Sequence, residues 1–224
     1  MTQVLRSVLA LAVLSLPLAT AASGQTGVSI EGRVAVAAGP AKRTAPRYPS
    51  GGVSAGDMQQ VAAVVYLVGE GLGSGPVVAE VDLLQRDTAF VPSAIAVRTG
   101  TVVRFPNADP FFHNVFSYAR NARFDLGRYP EGESRQVTFA EPGIARVFCE
   151  VHEFMRAVVV VTDHPFHAVV AEDGTFRLDG VPPGEYILIA YHPDLGSIEQ
   201  TVVARQGGRV RVDLELGGAG PPAP

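Results

Sequence analysis

Short runs of β-branched residues, separated by glycine and proline, dominate the chain after residue 27. Turn-forming pairs such as Pro142-Gly143 and Pro183-Gly184 bound these runs, and no long stretch has the apolar period of a helix. Glycine (24) and proline (17) together exceed a sixth of the 224 residues, which is typical of a chain with many turns. The pattern therefore predicts an all-β protein built as a sandwich of short strands.

Eleven runs are predicted as strands. They are residues 28–37, 61–68, 77–84, 95–105, 136–139, 144–149, 157–161, 175–178, 186–191, 201–203 and 210–216. Residues 38–58 are rich in glycine, alanine, proline and serine and are predicted to form a long loop. Residues 218–224 are predicted to be a flexible tail.

The first 21 residues have the pattern of a secretory signal. Arg6 precedes an apolar run from Val8 to Ala19, and Ala19-Thr20-Ala21 is a small-x-small cleavage site. The run has 12 residues, whereas a membrane-spanning helix needs about 20. We therefore expect an exported protein, periplasmic or secreted, without a membrane span. An uncleaved N-terminal anchor is the alternative.

Charge and cysteine content exclude several classes of function. The formal net charge of −4 argues against a general nucleic-acid binder, which is normally basic. The one cysteine, Cys149, excludes an internal disulfide framework, a four-cysteine zinc site and a cysteine-ligated iron–sulfur cluster. Taken alone, Cys149 is a buried filler, a reactive thiol or a metal ligand.

The neighbours of Cys149 favour the third of these roles. In the run from Cys149 to Met155, a thiol, the His152 imidazole and a thioether follow a predicted strand at spacings of three residues. His113 lies beside another apolar run, so a sandwich could place it opposite this loop. Two imidazoles, a thiolate and a weak thioether are the ligand set of a blue-copper electron-transfer site. Zinc is less suited to the set, because methionine is not among its usual ligands.

Residues 81–162 resemble the cupredoxin family, nearest to its amicyanin and plastocyanin-like members and to exported methylamine utilisation proteins. The matching residues are Gln85…Phe90-x-Pro92, the hairpin Val97-x-x-Gly100-x-x-Val103-x-Phe105-x-Asn107, His113-Asn114-Val115, Phe124-Asp125-Leu126-Gly127, Pro142-Gly143 and Phe148-Cys149-x-x-His152-x-x-Met155.

This resemblance implies a Greek-key β-sandwich that holds one copper ion per chain. It implies that His113, Cys149 and His152 are the trigonal ligands and that Met155 is the axial ligand. It also implies that Asn114 ties the two ligand loops together by hydrogen bonds. An ordinary turn residue is the alternative role for Asn114.

The remaining segments resemble the carboxypeptidase regulatory, or transthyretin-like, family of small sandwiches. The resemblance lies in a predicted hairpin at Asp173-Gly174 and in the turn Pro182-Pro183-Gly184-Glu185-Tyr186. In that family the pattern begins with strands like residues 28–34 and 63–67. We therefore predict a discontinuous outer sandwich, residues 28–70 plus 164–217, into which the cupredoxin domain is inserted. Two consecutive domains are the alternative.

The predicted function is an exported blue-copper protein that carries single electrons between redox partners, such as a cytochrome or a dehydrogenase. The alternatives are a copper-handling module and a redox subunit of a larger periplasmic complex. An enzyme is not predicted, because the chain has no His-x-His pairs for a multicopper oxidase and no assignable nucleophilic triad. Sugar binding by the outer sandwich would depend on Tyr186 and Tyr191, since tryptophan is absent.

Three weaker signals each leave two interpretations open. A docking patch or part of the core is predicted for Phe111, Phe112 and Phe154. A second metal site or a structural role is predicted for His164 and His167. A patch that steers an acidic partner, or a solvated loop, is predicted for Arg120, Arg123, Arg128 and Arg135.

Overall fold

The computed structural model describes residues 27–36, 60–74, 77 and 80–217. This part of the chain contains seventeen strands and no α-helix, so the all-β prediction is confirmed. Within these residues there is accordingly no helix that could cross a membrane. The predicted signal (1–21), central loop (38–58) and tail (218–224) lie outside the described residues.

The strands follow one another closely along the chain. They are β1 (Val28–Val36), β2 (Val64–Val68), β3 (Glu80–Asp82), β4 (Leu84–Arg86), β5 (Ala89–Val91), β6 (Ala94–Arg98), β7 (Thr101–Pro106), β8 (His113–Ala119), β9 (Ala122–Tyr129), β10 (Ser134–Phe139), β11 (Gly143–Phe148), β12 (Arg156–Thr162), β13 (His167–Val169), β14 (Thr175–Val181), β15 (Gly184–His192), β16 (Gly196–Ala204) and β17 (Arg209–Leu216).

Two sheets between residues 80 and 162 share one core. One has the order β6-β12-β11-β8-β9 and the other the order β10-β7-β3. The core takes fully buried side chains from both sheets, among them Phe105 and Phe139 from the smaller sheet and Val147 and Val159 from the larger one. Cys149 and Met155 belong to the same core, at the end where β11 stops and β12 begins.

Strand β12 is buried along its whole length, which explains why four consecutive valines occupy it. Val159 and Val161 pack into the core between the two sheets. Val158 and Val160 point to the opposite face and join a separate cluster with Val64 of β2 and other residues. The larger sheet is therefore covered on both faces at this strand.

The prediction of a hairpin around Gly100 is wrong. β6 pairs in parallel with β12, whereas β7 pairs with β10 and β3, so the two strands belong to different sheets. Gly100 has a φ of +89°, a conformation that favours glycine and lets the chain pass between the sheets. The alternating valines Val97 and Val103 then meet in the same core.

The prediction of a hairpin at Asp173-Gly174 is also wrong. β13 pairs with β2, while β14 pairs with β1 in another sheet. The turn is closed locally, because the amide of Gly174 donates to the carbonyl of Ala171 at 2.8 Å. Turn chemistry alone does not say whether the strands on either side pair with each other.

Two further sheets enclose a second core. Their orders are β14-β1-β17 and β13-β2-β15-β16, so each combines strands from before residue 70 and after residue 164. β1 lies between β14 and β17 and pairs with no described strand of residues 80–162. Gly32 allows the close approach to β17, because a Cβ there would lie 1.7 Å from the carbonyl oxygen of Val212.

Candidate metal centre

Three neighbouring segments bring the predicted ligands to one end of the larger sheet. His113 is the first residue of β8, and Cys149 directly follows β11. His152 and Met155 lie in the short loop that leads from β11 to β12. Because β8, β11 and β12 are adjacent in the sheet, these residues are held close together by the strand pairing.

The donor atoms of three of these side chains converge. The Nδ1 atom of His113 lies 3.1 Å from Nδ1 of His152 and 3.7 Å from the Cys149 sulfur. All three ligand atoms lie within 4.8 Å of one another, and no other group of three histidine, cysteine or acidic residues in the described ranges is this compact. His113 and Cys149 are buried, and His152 is half-buried. Two imidazoles and a thiol with no polar group between them suit a soft metal such as copper.

Met155 ends the loop that begins at Cys149. Its side chain is fully buried in the same core as Cys149. Two backbone hydrogen bonds close the loop, because the amide of Met155 donates to the carbonyl of His152 at 2.9 Å and the amide of Cys149 donates to the carbonyl of Met155 at 3.4 Å. The loop therefore keeps the thiol and the thioether at a fixed separation along the backbone.

Asn114 connects the two loops through its side chain. Its Oδ1 atom accepts a hydrogen bond from the amide of Glu150 at 2.8 Å, in the residue after Cys149. Its Nδ2 group donates to the carboxylate of Asp125 at 2.9 Å. The strand that carries His113 is thus tied to the loop that carries Cys149.

Asp109 contacts His113 and was not among the residues that the sequence indicated. Its buried carboxylate accepts hydrogen bonds from Nε2 of His113 at 2.8 Å and from the amides of Asp87 and Thr88 at 2.7 and 2.9 Å. Since Nε2 carries the proton and donates it in a hydrogen bond to the carboxylate, the lone pair of His113 is on Nδ1, the atom that faces Cys149. The only sequence feature that points to this contact is an acidic residue four positions before His113.

The pKa values of His152 and Asp109 are both shifted from their ordinary values. Burial, followed by the proximity of His113, lowers the pKa of His152, so its ring keeps a lone pair at neutral pH. Burial alone would raise the pKa of Asp109, but the hydrogen bonds from Thr88, His113 and Asp87 together hold it below its usual value. At neutral pH the His152 ring is therefore neutral, as a metal ligand must be, and the Asp109 carboxylate is charged.

The aromatic residues around the cluster divide into two kinds. Phe111 and Phe112 are exposed by 40% and 55%, and the Phe111 ring lies 5.4 Å from that of His152. Phe154 is half-buried and packs against the core, with its ring 5.8 Å from that of His152. The exposed large apolar side chains near His152 in space or sequence are therefore Phe111, Phe112 and Val151, whereas Phe154 is not among them.

The other histidines lie away from this cluster. Nε2 of His164 is 3.0 Å from the carbonyl of Leu67, and Nδ1 of His167 is 2.7 Å from the hydroxyl of Thr162. These contacts hold the connection between β12 and β13, and the pair is not part of a three-ligand group within the described ranges. His192 lies at the end of β15 and accepts a hydrogen bond from the amide of Asp194.

Two of the weaker candidates have structural roles. Tyr186 is buried and its hydroxyl donates to the carbonyl of Pro182 at 3.1 Å, so it offers no exposed ring for a sugar. Arg135 donates to the carbonyl of Leu126 and lies over the ring of Tyr129. It therefore has a structural role, whereas Arg123 is exposed.

The comparisons with known proteins agree with the donor set. Residues 77–162 match the family of copper binding proteins described as plastocyanin/azurin. No protein with a curated description matches the chain.

Three solved structures are among those that match part of the chain. A reduced mutant of amicyanin is 24% identical with a TM-score of 0.36, over 38% of this chain and 83% of that one. A purple cupredoxin from Nitrosopumilus maritimus is 21% identical with a TM-score of 0.32, over 38% and 99%. A copper-containing nitrite reductase from Thermus scotoductus is 24% identical with a TM-score of 0.35, over 37% of this chain but only 22% of that enzyme. Residues 77–162 are therefore a copper-binding domain of the plastocyanin/azurin family, the cupredoxins, and copper is its cofactor.

Proposed function

We propose that His113, Cys149, His152 and Met155 hold one copper ion and that the protein carries single electrons between redox partners. The observation that carries this proposal is the convergence of three ligand atoms within 4.8 Å in a largely buried pocket. A copper ion bound there supplies one-electron chemistry by alternating between Cu(I) and Cu(II).

The protein's own residues give that ion a fixed environment. Asp109 holds the ring of His113, and Asn114 holds the backbone beyond Cys149. Burial of Cys149 and Met155 keeps water away from the two sulfur atoms. A site that is rigid and dry changes little between oxidation states, which favours fast electron transfer.

Electrons are proposed to enter and leave through His152. It is the one ligand that is not fully buried, and Phe111, Phe112 and Val151 give the surface beside it an apolar character. An exposed apolar patch of this kind commonly marks a protein docking site. The proposed partner is another redox protein, such as a cytochrome or a dehydrogenase.

We also propose that the protein is exported and that the copper domain is inserted into an outer sandwich of residues 28–70 and 164–217. The signal-like residues 1–21 support export to the periplasm or beyond. The pairing of β1 with β14 and β17, and a core shared by residues such as Ile30, Leu67 and Leu188, supports the discontinuous sandwich.

A copper titration tests the metal site. Cu(II) added to the purified protein is expected to bind one ion per chain and to give the intense visible absorption of a thiolate–copper bond. Cys149→Ser and His113→Gln should lose this absorption. His167→Gln, which changes a histidine outside the cluster, should keep it. A wild-type protein without this absorption would overturn the proposal.

A copper-handling module is the alternative, and a second experiment separates it from an electron carrier. A carrier is expected to show reversible voltammetry and to keep its copper through repeated oxidation and reduction. A copper-handling protein would instead lose Cu(I) to a chelator between cycles. Rapid loss of copper from the reduced wild type would therefore favour the alternative.

A further inference from the structure

An ion pair joins the proposed ligand loop to the outer strands. Arg156 directly follows Met155 and is the first residue of β12, while Asp194 lies in the turn between β15 and β16. The two guanidinium nitrogens of Arg156 lie 2.5 and 2.6 Å from the two carboxylate oxygens of Asp194. This bidentate geometry fixes the direction of both side chains, which a lysine in place of Arg156 would not do.

The pair is shielded from water on both sides of the contact. The Arg156 side chain is 11% exposed and that of Asp194 is 26% exposed. The amide of Asp194 donates to Nδ1 of His192 at 3.1 Å, so the turn that presents the carboxylate is itself held in place. Ion pairs with low exposure are strongly sensitive to the loss of one partner, whereas exposed pairs are not.

Backbone contacts link Arg156 to the ligand loop. The loop is closed by the amide of Met155 on His152 and the amide of Cys149 on the carbonyl of Met155, the second of which is long at 3.4 Å. The backbone of Arg156 pairs opposite Phe148, the residue before Cys149. Fixing Arg156 therefore fixes the two ends of the loop, where Cys149 and Met155 lie.

We propose that Asp194, acting through Arg156, is a positioning residue for the copper ligand loop. This assigns to the outer strands β15 and β16 the role of holding the loop that carries Cys149, His152 and Met155. The inference rests on the proposed function for its effect on copper, but its effect on the loop backbone does not depend on a bound metal.

The test compares Asp194→Asn with Asp179→Asn in the full chain. Asp179 pairs with Arg177 on the surface of β14, so it is a matched control in the same group of strands. In the metal-free protein, amide hydrogen exchange at Met155 is expected to accelerate at least about tenfold in Asp194→Asn and less than about twofold in the control. Amides of β7, in the opposite sheet, report any global destabilisation and should change less than Met155.

A second readout uses the copper-loaded proteins. Asp194→Asn and Arg156→Lys are expected to shift the visible and electron paramagnetic resonance spectra, since a displaced loop changes the ligand distances, whereas Asp179→Asn should leave them unchanged. Exchange at Met155 within about twofold of wild type in Asp194→Asn would overturn the inference. If exchange at Met155 accelerates in Asp194→Asn as expected but the wild type forms no thiolate–copper absorption, the proposed function alone would be overturned.

Discussion

At the scale of single residues, the two ring nitrogens of His113 have separate tasks. Nε2 is bound to the carboxylate of Asp109, and Nδ1 faces Cys149 and His152. Asp109 also binds the amides of Asp87 and Thr88, two non-glycine residues with positive φ values. One buried carboxylate therefore orients a proposed ligand and stabilises a strained turn.

The variant Asp109→Asn is expected to weaken both contacts. The metal-free protein should lose about 1.5–3 kcal/mol in its free energy of unfolding, because hydrogen bonds to a charged acceptor become bonds to a neutral amide. The reduction potential should rise, since a neutral partner makes the His113 imidazole a weaker donor to Cu(II). Urea unfolding and voltammetry measure the two effects.

The control for this variant is Asp82→Asn. Asp82 pairs with Arg104 at 2.7 Å, but both side chains are more than 40% exposed, so the loss should be below about 1 kcal/mol. Equal effects of the two substitutions, or an unchanged potential in Asp109→Asn, would contradict this account of Asp109.

Local spacing explains which residues the sequence could indicate. One loop contains Cys149, His152 and Met155, so the sequence pattern alone could indicate a metal site. The contact of Asp109 with the Asp87-Thr88 turn depends on chain segments about twenty residues apart. Nothing in the local sequence of Asp109 distinguishes this from a turn role beside Pro110, and so its role was not predicted.

At the scale of the strands, composition predicted the type of structure but not the pairing. Buried strands such as β12 are recognisable in the sequence because they contain an unbroken apolar run, here Ala157 to Val161. β9 was not among the predicted strands, since charged residues are interspersed among its apolar ones. The turns at Gly100 and Gly174 were predicted from the sequence, but each joins two strands that belong to different sheets. Sheet membership is decided by long-range packing, which turn residues do not report.

His167, the half-buried first residue of β13, gives a pH dependence. The hydroxyl of Thr162 donates to the carbonyl of His164 at 2.7 Å, so it accepts a hydrogen bond from Nδ1 of His167. Burial, together with the nearby His164 and Arg98, lowers the pKa of His167 from 6.5 to about 4. The folded protein therefore keeps this ring neutral where the unfolded chain binds a proton.

The sign of the effect follows from that difference. As the pH falls from 7 to 5, protonation of His167 in the unfolded chain should reduce the free energy of unfolding by roughly 2 kcal/mol. Below the folded pKa of about 4 this contribution no longer changes. His164 and His192 also have lowered pKa values and add to the slope of the wild type.

The contribution of His167 is isolated by comparing His167→Gln with the wild type in urea at pH 7 and pH 5. Glutamine can still donate to the Thr162 hydroxyl but does not titrate, so the variant should lose less stability over this interval. Identical losses in the two metal-free proteins would show that His167 is not responsible.

At the scale of the whole molecule, a third apolar cluster joins the copper domain to the outer sheets. Val61 and Val64 pack there against Ala94, Val158 and Val160, and all five are buried. The pair between Arg156 and Asp194 lies on the same face of the larger sheet. A contact that is apolar and well buried is expected to couple the unfolding of the two parts.

The metal-free protein is therefore expected to unfold in one calorimetric transition. Val64→Asn buries an amide among apolar side chains, at a cost of about 1–3 kcal/mol for each unpaired polar group, and should split the transition into two. Val203→Asn is the control, since Val203 is 49% exposed on β16. Two separate transitions in the wild type would contradict the coupling.

The central claim is that His113, Cys149, His152 and Met155 surround a single copper ion, and copper-edge X-ray absorption tests it directly. The account predicts that the copper in the wild-type protein has one short bond to sulfur and two bonds to imidazole nitrogen. In Cys149→Ser the short bond to sulfur should disappear while imidazole remains. A wild-type copper ion surrounded only by oxygen and nitrogen would contradict the claim.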